Sequence, residues 1–147
     1  MQTIYVGDLT LDNKVDITDP CYNKDVWCRM TADCVPGVYK GYANISEEDG
    51  SKGRVVSLSI YLDGEVVPLS QMYLLNKDIG VDSGMCGFFN DKPDYNGPKW
   101  DEFINSLEGW GYYSLSNGIL ANSGYGDGVY NVYTNKESTA FTVVFIE

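Results

Sequence analysis

Along residues 54–62, RVVSLSIYL, hydrophobic and polar side chains alternate: Val56, Leu58, Ile60 and Leu62 fall on one face and Ser57, Ser59 and Tyr61 on the other. A period of two is the mark of a half-buried strand. Asp63-Gly64 then predicts a tight hairpin turn into EVV. Upstream, VPGVYKGYANI (35–45) alternates in the same way behind a Pro-Gly opening, and the polar run EEDGSKG (47–53) makes it the natural partner of 54–62.

One segment has a different period. In PKWDEFINSLEG (98–109), Trp100, Phe103, Ile104 and Leu107 recur at helical spacing, with Pro98 near the start and Gly109 past the end. The spacing predicts an amphipathic helix over about 98–108, docked by one apolar face. After it come GWGYYSLS, the turn dipeptide Asn117-Gly118, ILANS, a Gly-rich corner, VYNVYT, an NKES turn and TAFTVVFI. That succession reads as a meander of three or four strands. The fold class expected is mainly β (α+β): a single domain over residues 1–147, an antiparallel curled sheet, sandwich or partial barrel with one helix packed on it.

Charge narrows the range of partners. The chain carries 21 acidic against 10 basic residues and no histidine, a formal charge of −11. Phosphate backbones are held by Lys and Arg, so direct nucleic-acid binding is not expected. The same charge suits a basic protein surface or a cation. The start, MQTIYVGDLTLD, has neither a basic n-region nor an apolar h-region, and no stretch approaches the length needed to span a bilayer. A cytoplasmic protein, in a bacterial or phage-infected cell, is the expectation. Cys21, Cys28, Cys34 and Cys86 contain no C-x-x-C pair and have no histidine to complete a zinc site, so they read as free, mostly buried thiols.

The densest local pattern is SGYGDGVYNVY (123–133). Gly124, Gly126 and Gly128 stand at spacing two and run into a strand-like sequel, which fits neither a dinucleotide fingerprint nor a P-loop. The corner reads as a β turn or bulge in which Asp127-Gly128 favours positive φ. The stretch 90–102 places Asp94, Asn96 and Gly97 like an EF-hand loop, but Lys92 and Phe103 fall where the anchoring ligands belong, so calcium is not expected. Without histidine, a serine or cysteine nucleophile lacks its commonest base. Cys21 is reactive only if a cation lowers its pKa, and Lys24 is the sole one nearby in sequence. Asp19, Asp82 and Asp127, with Asp91, remain candidates for a carboxylate cluster holding a divalent metal.

Three segments, VDITDPCY (15–22), IGVDSGMCGFFND (79–91) and SGYGDGVYNVY (123–133), in this order with PGVYKGY and RVVSLSIYL between the first two, resemble domain of unknown function 4241, a family of bacteria and their phages. The resemblance rests on Asp19 and Pro20; Pro36, Gly37 and Tyr39; Val81, Asp82, Gly84, Phe89 and Asp91; and Gly126, Asp127, Gly128, Tyr130, Val132 and Tyr133. It implies no activity, cofactor or catalytic residue. It does group the Asp-bearing corners as a set that lines one end of a β domain.

The expectation is therefore a binding protein rather than an enzyme, requiring no cofactor and encoded by a phage or mobile element. It would inhibit a bacterial defence system by binding a host protein or sequestering a small, nucleotide-like ligand. Asp19, Cys21, Tyr22, Asp82, Ser83, Asp91, Ser123, Tyr125 and Asp127 are the candidate ligand-binding residues. The alternatives are a metal-dependent hydrolase built on the aspartates and a structural or accessory phage protein that self-associates.

Overall fold

The computed structural model describes residues 1–22, 28–75, 77–90, 92, 97–107 and 111–147. In chain order they form β1 (Gln2–Leu11), β2 (Lys14–Thr18), β3 (Arg29–Asp33), β4 (Gly37–Ile45), β5 (Val55–Leu62), a 3₁₀ turn (Leu69–Gln71), β6 (Tyr73–Leu74), β7 (Ile79–Val81), β8 (Met85–Phe89), α1 (Trp100–Asn105), β9 (Tyr112–Leu115), β10 (Gly118–Asn122), β11 (Gly128–Thr134) and β12 (Ala140–Val144). The first sheet has the order β1-β4-β5-β12-β11-β6, with β7 also paired to β11; the second has the order β3-β2-β8-β10-β9. Every pairing is antiparallel. Among the described residues the architecture is mainly β, with no closed barrel.

Alternation decides which residues meet between the sheets. Leu9, Tyr39, Leu58, Ile60, Phe141 and Val143 from the first sheet pack against Ile17, Cys86, Phe88 and Ile119 from the second in one continuous core. Two glycines that face each other across the β1–β4 ladder, Gly7 and Gly41, let the sheets approach closely. A β-carbon on Gly41 would stand 2.8 Å from Ile119 Cγ2, and one on Gly7 would stand 2.0 Å from Ser114 Oγ. These two positions make a notch into which β9 and β10 press, and any side chain there would hold the sheets apart.

At β8 and β10 the second sheet is buried on both faces. Its outer residues Phe89, Leu115 and Leu120 pack with Trp100 and Phe103 of α1, and Ile104 and Leu107 close the margin. This is the apolar face that the sequence spacing predicts. The helix itself is shorter than the expected 98–108: Trp100 N–H donates to Gly97 O through a turn, and Ser106 donates through Oγ to Phe103 O at 2.6 Å as the helix ends. Residues 108–110, including Gly109, lie outside the described residues.

Other expectations along the chain are met in part. Residues 35–45 and 54–62 do pair, as β4 and β5. A register shift at Asn44/Ile45 puts Val55 rather than Val56 into the core. The Asp63-Gly64 turn forms with positive φ at both residues. EVV, however, is not a strand, because β5 is already paired on both edges, to β4 and β12. The polar face of β5 is buried rather than half-exposed. Ser59 shares a 2.7 Å hydrogen bond with Thr142, Asn44 Nδ2 donates to Ser57 Oγ at 2.8 Å, and Tyr42 packs between Tyr5 and Tyr61.

The C-terminal third is two hairpins, β9–β10 and β11–β12, rather than one meander. β10 has β8 and β9 on its two edges and belongs to the second sheet, while β11 belongs to the first. The Gly-rich corner is therefore the crossing between sheets. Its left-handed residues are Gly124 (φ 57) and Gly126 (φ 113), not Asp127 or Gly128.

Candidate functional site

The crossing brings the three Asp-bearing corners together. β2 ends at Thr18, so Asp19 enters the protein where the next turn begins, and it is completely buried. β7 pairs with the start of β11, Val81 opposite Gly128, which sets residues 82–84 beside residues 123–127. Ser123 N–H donates to Gly84 O at 2.9 Å, and Asp127 Oδ1 lies 4.0 Å from where a β-carbon on Gly84 would stand.

The Asp19 carboxylate joins the first two corners. Oδ1 accepts from Cys21 N–H at 2.9 Å and from Ser83 Oγ at 2.7 Å. Oδ2 accepts from Asp82 N–H at 2.8 Å and from Ser83 N–H at 2.7 Å. Two carboxylate oxygens offer about four acceptor positions, so these four donors use them all. Charge-assisted bonds to backbone N–H groups are among the stronger kinds in a protein interior, and here they fasten a loop more than sixty residues away in sequence. Asp19 is a structural clamp.

Around the clamp stand groups turned to solvent. Tyr22 Oη donates to the Asp82 carboxylate, and this hydrogen bond pushes the phenol up to about 12. Asp82 and Asp127 are both exposed. Burial pushes the Cys28 thiol up to about 11, and the carboxylates of Asp19, Asp82 and Asp127 act in the same direction. Cys21 is raised as well, by burial first and Asp19 second; the Ser83 hydroxyl and Lys92 pull the other way. Neither thiol is held as a thiolate, which removes the condition under which Cys21 would serve as a nucleophile. All four cysteines are free.

Ser123 and Tyr125 serve the corner's shape. Ser123 is buried, and its Oγ donates to Gly126 O at 2.6 Å, while Tyr130 Oη donates to the same carbonyl at 2.5 Å. Tyr125 turns away from the aspartates. Its ring lies under the Arg54 guanidinium at 4.4 Å, and Arg54 also donates to Gly124 O at 3.0 Å. Asp91 and Lys24 lie outside the described residues, as do Asp94 and Asn96 of the calcium-like stretch. Among the described residues, no group of three or more His, Cys, Asp or Glu side chains is placed to hold a metal ion.

Sequence reading missed the buried ion pair beside this site. Asp16 accepts from the Arg29 guanidinium and, at 2.8 Å, from Thr31 Oγ1. Arg29 is 7% exposed, and its Nε has no hydrogen-bond partner among the described residues. The signal was present in VDIT, where Asp16 falls on the face opposite Val15 and Ile17. Its partner is visible only in the β2–β3 register, which sets Arg29 diagonally across from Asp16.

Comparison of the chain with known protein families, with curated proteins and with solved structures finds no match. What the site can do is therefore argued from its own groups: a rigid corner, one saturated buried carboxylate, and two carboxylates and a phenol facing outward. No helix among the described residues is long and apolar enough to cross a membrane.

Proposed function

We propose that this chain is a binding protein rather than an enzyme, and that its corner engages a basic surface on another protein. The specific version is an inhibitor, encoded by a phage or mobile element, that occludes a component of a bacterial defence system. The resemblance to domain of unknown function 4241 fits that setting and adds no chemistry.

The observation that carries the reading is the division of labour among the aspartates. Asp19 has its acceptor positions filled internally, while Asp82 and Asp127 stand exposed on the surface it rigidifies. A hydrolase needs Asp19 to reach a metal or a water, and four protein donors compete for it. A nucleotide-like ligand would bring phosphates against carboxylates, so a Lys- or Arg-bearing partner has more support. A carboxylate held as Tyr22 holds Asp82 suits such a partner because little entropy is lost when it is engaged.

Fluorescence anisotropy with labelled Lys/Arg-rich peptides tests this, against neutral peptides of equal length and, by native mass spectrometry, a nucleotide panel. Basic peptides should bind the wild type, weaken as salt rises from about 50 mM, and weaken further in the Asp82→Asn/Asp127→Asn variant. Binding that survives the double substitution, or a preference for nucleotides, would overturn the proposal.

A further inference from the structure

Asp82 is exposed, yet both its backbone and its side chain are fixed. Its N–H donates to Asp19 Oδ2 at 2.8 Å, and its own Oδ2 accepts from Tyr22 Oη. Tyr22 in turn is tied to the same residue, its N–H donating to Asp19 O at 3.3 Å. These three bonds close a ring, from Asp19 to Asp82 to Tyr22 and back, and its anchor is fully buried. The ring makes the two oxygens of the Asp82 carboxylate unlike each other. Oδ2 is engaged by the phenol, while Oδ1 accepts no hydrogen bond from the described residues. Among the described residues no lysine or arginine pairs with Asp82.

We infer that Tyr22 is a specificity-determining residue of the corner, setting Asp82 to take the ammonium of a lysine in preference to the guanidinium of an arginine. The inference rests on the reading of the corner as a docking site for a basic protein surface, and it names the basic side chain. Arginine meets a carboxylate best as a fork, with two parallel N–H bonds that use both oxygens in one plane. At Asp82 a fork has to share Oδ2 with the phenol already bonded there. Either the guanidinium bonds to Oδ1 alone or the Tyr22 bond gives way, and each loses what makes arginine the better partner of a free carboxylate. A lysine ammonium needs no paired oxygens. It is a compact charge whose three donors rotate to suit their acceptors. One donor can take Oδ1, and a second can take the Tyr22 oxygen, whose hydrogen is given to Asp82 and whose lone pairs remain. The phenol thus obstructs the fork and supplies the ammonium with an acceptor. Because Asp19 holds the backbones of both residues, this geometry exists before a partner arrives.

Fluorescence anisotropy tests it with two labelled peptides of equal length and charge, one with lysine and the other with arginine as its only basic residue. The wild type should bind the lysine peptide about threefold more tightly, the size expected for one exposed charged hydrogen bond. Tyr22→Phe keeps the ring and removes the hydroxyl, which opens Oδ2 to the fork, so the preference should vanish or reverse. A mere loss of shape at the corner would weaken both peptides alike and leave their ratio unchanged. A third peptide, with every lysine trimethylated, keeps the charge but has no N–H to donate, and the wild type should bind it about threefold more weakly than the lysine peptide. This arm needs no variant and decides the matter should Tyr22→Phe misfold. The same ratio in both proteins, an arginine preference in the wild type, or trimethyl-lysine bound as tightly as lysine would overturn the inference. The wider reading of the corner then stands as long as Asp82→Asn/Asp127→Asn weakens both unmodified peptides. Failure of all three peptides to bind would overturn the inference and that reading together.

Discussion

Replacing Asp19 by asparagine tests whether the corner is a scaffold. The substitution keeps the shape and removes one acceptor oxygen. The amide would turn its NH₂ toward Cys21 N–H and Ser83 Oγ, because the hydroxyl can rotate and accept, leaving Oδ1 for Asp82 N–H and Ser83 N–H. One backbone N–H, that of Cys21, then faces a donor, and all the bonds lose their charge assistance. An orphaned buried donor costs about 1–3 kcal/mol, and weakening the rest brings the expected loss to about 2–4 kcal/mol. Asp19→Ala removes all four acceptor contacts and should cost about 5 kcal/mol or more, because the site is fully buried and its three backbone donors have nowhere to turn. Urea denaturation followed by tryptophan fluorescence and circular dichroism reads both as shifts in midpoint at constant slope. Asp127→Asn, at an exposed carboxylate, should stay within about 0.5 kcal/mol of the wild type. Equal losses at Asp19 and Asp127, or an Asp19→Asn protein as stable as the wild type, would refute the clamp.

Three further outcomes are expected. Gly41→Ala should cost about 1–3 kcal/mol by overpacking against the γ carbons of Ile119, and it should cost less in an Ile119→Ala background, which lacks those atoms, as a thermal-denaturation double-mutant cycle would show. Asp16→Ala should cost about 3 kcal/mol by stranding the buried Arg29 guanidinium, while Asp16→Leu with Arg29→Met recovers much of that loss in the same assay. Tyr22 should titrate at about 12 by ultraviolet absorbance, and Asp82→Asn should bring that step down, while Tyr39, raised by burial, stays late in both proteins. Because folding raises the Tyr22 pKa above the ordinary 10, its contribution to stability is complete below pH 10 and is lost as pH climbs toward 12.

The local elements were legible because strand and helix periodicity are written into short windows. RVVSLSIYL and VPGVYKGYANI pair as their alternation requires, and the i, i+3, i+4, i+7 face of the helix is the face that packs. Where the sequence misled, the reason lies in competition for strand edges. EVV looked like a hairpin arm, but both edges of β5 were taken by β4 and by β12, which arrives eighty residues later. The meander failed for the same reason. ILANS and VYNVYT are neighbours in sequence, yet each finds its partners elsewhere, so the glycines between them make a crossing between sheets.

By itself, then, the sequence determined the period of each segment, the acidity of the surface and the absence of an imidazole. Those properties are local or additive, and each can be read without knowing what touches what. Whether Asp19, Asp82 and Asp127 meet was decided only by the tertiary structure, through the pairing of β7 with β11 that sets one corner beside another. That pairing also gave the aspartates different fates. A carboxylate surrounded by four donors becomes an internal fastening, and one facing water stays available to a partner; the same residue type in similar turns cannot reveal which it is until the chain has closed around it.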